Sequence, residues 1–433
     1  MPLRYLTLDF NSFFASVEQQ ERPELRGRPL AIVPVVAETT GCIAISLEAK
    51  AMGLKRNARV ADARRQCPGL VVVESRPELY IQYHRRLAAI VHSVLPAWKI
   101  QSIDEVTCKF FKTDTTREEA TALALEMKAR IAREVGPLLR SSIGVASTWL
   151  LAKVASDMQK PDGLVVLEDA DVPGKLLHLD IEDISGIGPN MAVRLREHGI
   201  DTVAKLYAAD VKLLRGLWRG VVGERMWRLL HGEDVDFPQE ESTQLGHGAV
   251  LPPDQRTHEH ALATLHRLLQ KAAMRLRHSG RYATGMQVTV DYVDEGVHWS
   301  EELQLTETQD TLKFTHALNQ IWAALPARVK RRRPLRVGVQ LTGLIDLQMH
   351  TPDLFEQQDE KNRDRLLHAV DHLNKVLGKN SVYFGGAHGA TKGAPMRIAF
   401  TRIPKPELEE IDRRYEGRLK PGKEFTDPEP EVW

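Results

Sequence analysis

Only three cysteines, Cys42, Cys67 and Cys108, occur in 433 residues. Their scatter, odd number and lack of metal-ligand spacing exclude a disulfide-stapled secreted domain and a cysteine metal centre, and they point to a reducing, cytoplasmic setting. Long apolar runs are missing too: none reaches the roughly 18 residues of a membrane-spanning helix. Met1-Pro2-Leu3-Arg4-Tyr5 leads straight into a strand-like alternation rather than a signal peptide. An excess of one charge is also lacking, because 59 Lys plus Arg face 58 Asp plus Glu, a net charge of +1. As an average, that argues against a partner rich in phosphate. What is present, 42% hydrophobic and 27% charged residues, is ordinary for a globular protein and excludes disorder of the whole chain. The length suggests about three domains.

Tyr5 to Asp9 alternates as a strand, and Asn11 or Ser12 is placed to cap a helix over Phe13 to Gln20. Strand-like runs follow at Arg28 to Val33 and Ile43 to Ser46, with a helix from Leu47. Helical spacing covers Tyr80 to Leu95, Glu118 to Val135 and Thr148 to Gln159, interleaved with strands at Lys99 to Phe110 and Ser142 to Ala146. This alternation predicts an α/β or α+β unit to about residue 165. Short helices punctuated by glycine come next, then an acidic stretch (Glu233, Asp234, Asp236, Glu240, Glu241) that reads as a solvated linker. Beyond it the pattern is β-α-β-β-α-β: Gly246 to Leu251, His258 to His278, Arg281 to Asp294, Val297 to Glu307, Thr311 to Leu325, Leu335 to Ile345. One more helix, about Asp359 to Leu377, precedes a polar, proline-containing tail with the composition of a flexible terminus.

Three carboxylates stand out. Asp9 ends a buried-looking strand, where an ionised group is costly unless it is paired or metal-bound; a capping or turn role is the plainer alternative. Asp104-Glu105 interrupts an apolar stretch whose phase shifts at that point. Strand neighbours face opposite sides, so both reach one site only at a turn or strand end. Carboxylates converging at one edge would suit Mg²⁺, a hard cation that also takes substrate phosphates. Two such ions can stabilise both the attacking and the leaving oxygen of a phosphoryl displacement.

Leu8-Asp9-Phe10-Asn11-Ser12-Phe13-Phe14-Ala15-Ser16-Val17-Glu18 resembles the opening motif of the Y-family DNA polymerases. Ser102-Ile103-Asp104-Glu105 resembles their second motif. Ala152-Lys153-Val154-Ala155-Ser156-Asp157 with Lys160-Pro161-Asp162-Gly163 resembles their third, and Gly186-Ile187-Gly188 through Gly199-Ile200 their helix-hairpin-helix segment. The wording around Glu38-Thr39-Thr40 and Asp359 to Leu377 is most similar to the UmuC-like, translesion branch. The resemblance implies an α+β right-hand polymerase with palm at 1–16 and 78–165, fingers at 17–77, thumb at 166–240, little finger at 243–350 and a C-terminal extension at 351–433. It implies DNA-directed DNA synthesis of low fidelity past damaged bases. Asp9, Asp104, Glu105 and the Phe10 carbonyl would bind two Mg²⁺ ions, with Mn²⁺ able to substitute. The implied partners are primer-template DNA and deoxynucleoside triphosphates, then a sliding clamp, a UmuD-like subunit and a recombinase filament.

The same resemblance puts Phe13, Phe14, Ala44, Leu47, Lys50, Lys153 and Lys160 around the nucleotide. Phe14 takes the place of the steric gate, a ring that leaves no room for a 2′-hydroxyl. The lysines suit phosphate as point charges. Four departures stand beside these matches. Leu47 replaces the family's tyrosine and Lys50 its arginine, losing the bidentate fork. Ser147-Thr148-Trp149 lacks the usual Asn-Lys, and Val106-Thr107-Cys108 replaces Ala-Tyr-Leu. Each lost charge-assisted contact removes about 1.5–3 kcal/mol of nucleotide binding.

For DNA, Gly186 and Gly188 before a helix N-terminus would let backbone amides approach a phosphate, unless they form a plain interhelical turn. Basic residues load the helix of the last domain, Arg275 and Arg277 among them. A denser run, Arg328, Lys330, Arg331, Arg332, Arg333 and Arg336, contains no acid. The near-neutral total thus hides a segregated charge, and DNA would meet the local field. Thr351-Pro352-Asp353-Leu354-Phe355 is similar to the end of a clamp-binding peptide, with Leu354 and Phe355 as its apolar anchors and without the leading Gln. Two rivals remain: a non-catalytic DNA-binding accessory of a mutagenesis complex on the same fold, and a palm-type cyclase, for which the later domains have no use.

Overall fold

The computed structural model describes residues 2–112, 114–236, 243–351, 357–377, 381–390, 400 and 403. Its first sheet runs in the order Ala97–Ser102, Glu105–Lys109, Tyr5–Phe10, Ser141–Ala146, Leu164–Val166. Tyr5–Phe10 is central and antiparallel to both neighbours. Strand alternation divides its side chains between two cores. Leu6, Leu8 and Phe10 join the cluster under the helices Pro77–Val94 and Arg117–Glu134. Tyr5 instead packs with Leu150, Leu151, Val154 and Ala155 of the helix Trp149–Met158. Thr148 caps that helix by accepting from the Leu151 amide, and its hydroxyl donates to the Leu229 carbonyl at 3.0 Å. Helix and strand meet backbone to backbone at Gly144, where a Cβ would lie 2.1 Å from the Ala152 carbonyl oxygen. Any larger residue would push the helix, with Lys153, off the sheet.

A small second sheet, Ala44–Ile45, Leu30–Val33, Val71–Glu74, is joined to the first by the helix Phe13–Glu21. Glu18 on that helix is fully buried, yet its charge is matched: Arg76 donates to both its oxygens (2.9 and 2.6 Å) and the Tyr80 hydroxyl to one at 2.8 Å. Four short helices between Pro189 and Leu230 follow. Asp234, expected in a solvated linker, instead accepts from the Tyr5 hydroxyl and pairs with Lys109 (3.1 Å) and Arg4 (3.3 Å), clipping this segment to the first sheet.

The β-α-β-β-α-β unit is realised as the sequence pattern predicts. Its sheet order is His298–Thr308, Arg281–Tyr292, Pro334–Asp346, Gln244–Val250, covered by the helices His258–His278 and Thr311–Ala323. A helix at Gln357–Leu377 also matches expectation. Its docking does not, for it and the segment after it lie against His258–His278 and close over that helix's polar side. Arg277 donates to both oxygens of Asp371 (2.8 and 2.9 Å), while the Gln270 amide exchanges hydrogen bonds with the Phe384 backbone. Arg275 and Arg277, expected to meet DNA, are therefore buried, Arg275 donating to the Gly246 carbonyl at 2.8 Å. Removing one partner of a buried ion pair leaves a bare charge inside the protein. Arg277→Ala is expected to lower stability by about 3–5 kcal/mol in denaturant titration, with the salt dependence of DNA binding unchanged.

Candidate active site

The hairpin that joins Ala97–Ser102 to Glu105–Lys109 turns at Ile103-Asp104. Asp104 sits in the turn and Glu105 opens the next strand, so the two neighbours escape the opposite facing of regular strand residues. Glu105 is directly across from Asp9 in the antiparallel register, and the Phe10 amide donates to the Asp104 carbonyl at 2.8 Å. Two positions further along, Thr7 faces Thr107 with their hydroxyl oxygens 2.9 Å apart. Thr107, one of the departures from the family wording, thus serves the sheet, while Cys108 lies buried in the core.

Three nearly buried carboxylates side by side need positive charge. Lys153 supplies it, 2.8 Å from Asp9 Oδ2 and 3.2 Å from Glu105 Oε2; Lys160 is also 2.8 Å from Asp9 Oδ2 and 2.6 Å from Asp157. Burial raises the Asp9 pKa, but the two ammonium groups outweigh it and hold Asp9 below the usual carboxylate value. Burial prevails at the other two: Asp104 is raised, with Asp9 adding to it against a hydrogen bond from Ser102, and Glu105 is pushed up to about 7. For Lys153 burial works against the charge, and Asp9, Glu105 and Asp157 more than reverse it. Among the described residues no three His, Cys, Asp or Glu side chains gather as a ready metal site.

A cavity of about 310 Å³ opens beside these carboxylates. It is lined by Asp9 and Asp104, by Phe10, Phe13 and Phe14, and by Ala44, Lys50 and Lys160. Phe14 is held from behind by Tyr80, ring stacked on ring at 4.4 Å. Ser12, with φ of 50°, turns the chain so that the helix bearing both phenylalanines starts at the cavity. Lys153 stays behind the carboxylates, and Leu47, at the start of the helix Leu47–Ala51, is not part of the lining. Sequence reasoning missed Arg56, whose exposed guanidinium lines the cavity with Lys50 and Lys160. The signal available was a basic pair, Lys55-Arg56, just beyond Gly53.

Away from the cavity, Gly186 adopts a φ of 92° and Gly188 caps the helix Pro189–Glu197. Arg331, Arg332, Arg333 and Arg336 are exposed on the last unit, with Arg332 paired to Asp294 at 3.0 Å. Leu354 and Phe355 lie outside the described residues, as does almost all of the C-terminal tail. No helix among the described residues is long and apolar enough to cross a membrane.

Residues 8–157 match the impB/mucB/samB family, residues 242–359 the C-terminal domain of that family, and residues 179–217 a SAM-like helix-hairpin-helix tandem. DNA polymerase IV of Moorella thermoacetica is 34% identical over 389 residues, 87% of this chain and 94% of the relative. DNA polymerase IV 1 of Bacillus subtilis is 30% identical, covering 92% and 97%. In fold, the chain is similar to a Y-family DNA polymerase chimera of Dbh and Dpo4, with a TM-score of 0.64 at 23% identity over 79% of this chain and 99% of that one. These matches speak for the family as a whole and not for one branch of it. With identity above 30% across nearly the full length of both chains, the protein belongs to the Y-family of DNA-directed DNA polymerases, the translesion enzymes.

Proposed function

We propose that this chain extends a primer 3′-hydroxyl by phosphoryl transfer at the cavity described above, with Asp9, Asp104, Glu105 and the Phe10 carbonyl holding divalent ions. The observation that carries the reading is the meeting of Asp9 and Asp104 in the lining of a cavity that also presents three cations and Phe14, with Glu105 directly across from Asp9 in the strand register but outside the lining. Members of the family use divalent metal ions, and this donor set suits them. Its oxygens are hard ligands, and Glu105 Oε1 is a buried atom with no hydrogen-bond partner that a cation would satisfy. When bound, Mg²⁺ or Mn²⁺ acidifies the primer hydroxyl and offsets charge on the phosphates.

The chain's own residues do the rest. Lys50, Arg56 and Lys160 attract the triphosphate, and Lys153 orients Asp9 and Glu105 and, with Lys160, keeps Asp9 charged. Phe14 excludes a 2′-hydroxyl from the sugar position, with Phe13 and Ala44 closing the adjoining wall. In this reading the first sheet is the palm, the small second sheet the fingers, the 189–230 helices the thumb, and the last β-rich unit the little finger. Gly186 and Gly188 would present backbone amides to a DNA phosphate.

Arg331, Arg332, Arg333 and Arg336 are proposed to track the DNA backbone. Changing Arg331, Arg332 and Arg333 together to alanine is expected to weaken binding of every primed template alike. It should also flatten the log-affinity versus log-salt slope by up to about 2.7, which filter binding at a series of salt concentrations measures. Leu354 and Phe355 are proposed to seat a sliding clamp on the strength of the sequence alone, and a UmuD-like subunit or recombinase filament has the resemblance as its sole support. A second reading, a non-catalytic DNA-binding accessory, is favoured by one observation: Lys153 and Lys160 already neutralise Asp9 and Glu105. Metal-dependent primer extension by the full chain separates the two.

A further inference from the structure

One residue in the lining of the cavity comes from far along the chain. Phe400 stands among Asp9, Asp104, Phe14 and Lys160, its ring centroid 5.7 Å from that of Phe14 and tilted by 41°. It is anchored from two sides. Its carbonyl accepts a 2.8 Å hydrogen bond from the amide of Ile103, the residue before Asp104. Three residues on, Ile403 packs against the core beneath the first sheet. Behind Ile103, His84 Nδ1 lies 2.7 Å from the Ile103 carbonyl, so the hairpin turn is gripped between the body of the protein and the C-terminal segment.

The location decides what this segment can do. One face of the Phe14 ring is taken by Tyr80. The cavity side is the side left for a sugar, and there Phe400 sits. Phe14 is only 3% exposed although it lines an open cavity, with Tyr80, Phe13 and Phe400 all against its ring. A triphosphate whose sugar rests on Phe14 needs the volume that the Phe400 ring fills. Upstream, Ala387 and Ala390 are buried in the extension that docks on the helix His258–His278. Nine residues separate Ala390 from Phe400, ten steps along the chain, a reach of at most about 33–36 Å. The plug is thus tethered to the little-finger unit and enters the palm as an intramolecular competitor.

We propose that Phe400 is an autoinhibitory plug, which docks on Phe14 and must leave before a deoxynucleoside triphosphate binds. Phe400 is 42% exposed even when docked, so its hold is partial and its release is within the reach of nucleotide binding energy. The apparent dissociation constant for nucleotide is then the intrinsic one divided by the fraction of molecules with the plug out.

This rests on reading the cavity as the nucleotide site, and the test keeps the two apart. The full chain and its Phe400→Ala variant are titrated with MANT-labelled dATP in Mg²⁺ and assayed for primer extension over a range of dNTP concentrations. Binding at least about fivefold tighter in Phe400→Ala, with KM for dNTP falling by a similar factor, is expected. Ile403→Ser, which loosens the anchor without touching the cavity, should shift both quantities in the same direction. Equal or weaker MANT-dATP binding in both variants overturns the plug, whether or not the chain extends primers. Absence of extension by every form, with tighter binding retained, overturns the polymerase reading and leaves the plug standing.

Discussion

Asp104→Asn is expected to lower the rate of primer extension by at least about a thousandfold, close to 4 kcal/mol of transition-state stabilisation. Asp104 lies in the turn where the strand pair of Asp9 and Glu105 ends, and it faces the cavity. The amide keeps the shape and loses the negative oxygen proposed to hold a cation. A mere structural role would show as a loss of stability, and here the sign is the opposite. Burial, helped by Asp9, raises the Asp104 pKa above its ordinary value, against a hydrogen bond from Ser102. An acid raised in the folded state contributes stability when protonated, and that contribution is lost as pH rises through the folded pKa. At neutral pH the ionised Asp104 therefore weakens the fold, and Asp104→Asn should melt no lower than the parent. A rate within tenfold of the parent, or a large fall in melting temperature alongside the lost rate, would count against the role given to Asp104.

Phe14→Ala is expected to raise the ratio of ribonucleotide to deoxynucleotide insertion by about a hundredfold. The ring is pinned between the stacked Tyr80 and the cavity, so it cannot swing aside for an added hydroxyl. Deleting a buried phenylalanine also costs about 3–5 kcal/mol of stability. The ratio of kcat/KM values measured on one preparation is independent of the fraction folded and isolates the sugar effect. An unchanged ratio would show that Phe14 is a core residue of its helix and not a gate.

The secondary structure of the last unit was legible because its strands alternate and its helices are amphipathic, each signal lying within ten or twenty residues. At Asp104-Glu105 a charged pair inside an apolar stretch, with a phase shift, made a turn or strand end legible, whereas the grouping with Asp9 as a metal site came from the family resemblance, spacing alone suggesting it only weakly. The basic helix misled. Arg277 has the composition of a DNA-facing residue, and only the fold reveals that Asp371, 94 positions away, takes its guanidinium. Asp234 misled likewise, since the Tyr5, Lys109 and Arg4 groups that draw it in lie more than a hundred residues earlier in the chain. Arg56 and Phe400 were invisible on local grounds. One is an exposed arginine in a turn, the other a lone aromatic in a polar tail, and each acquires meaning only where the cavity gathers distant segments.

The departures at Leu47 and Lys50 also change weight. Leu47 does not line the cavity, so a tyrosine hydroxyl is missing from the wall, whereas Lys50 does line it and has Arg56 for company. A guanidinium is present after all, on the turn beyond the helix. In the proposed reading this guanidinium offsets part of the loss of the arginine fork at Lys50, which favours an enzyme over an accessory.

The most direct test of the account is extension of a labelled primer on a DNA template by the full chain, in Mg²⁺ or Mn²⁺ and then with chelator. Stepwise addition of deoxynucleotides that needs the metal and stops on chelation is the predicted result. Tight binding of the primed template with no added nucleotide across both metals and a broad range of pH and dNTP concentration would contradict it, and would make the chain a DNA-binding accessory on a polymerase fold.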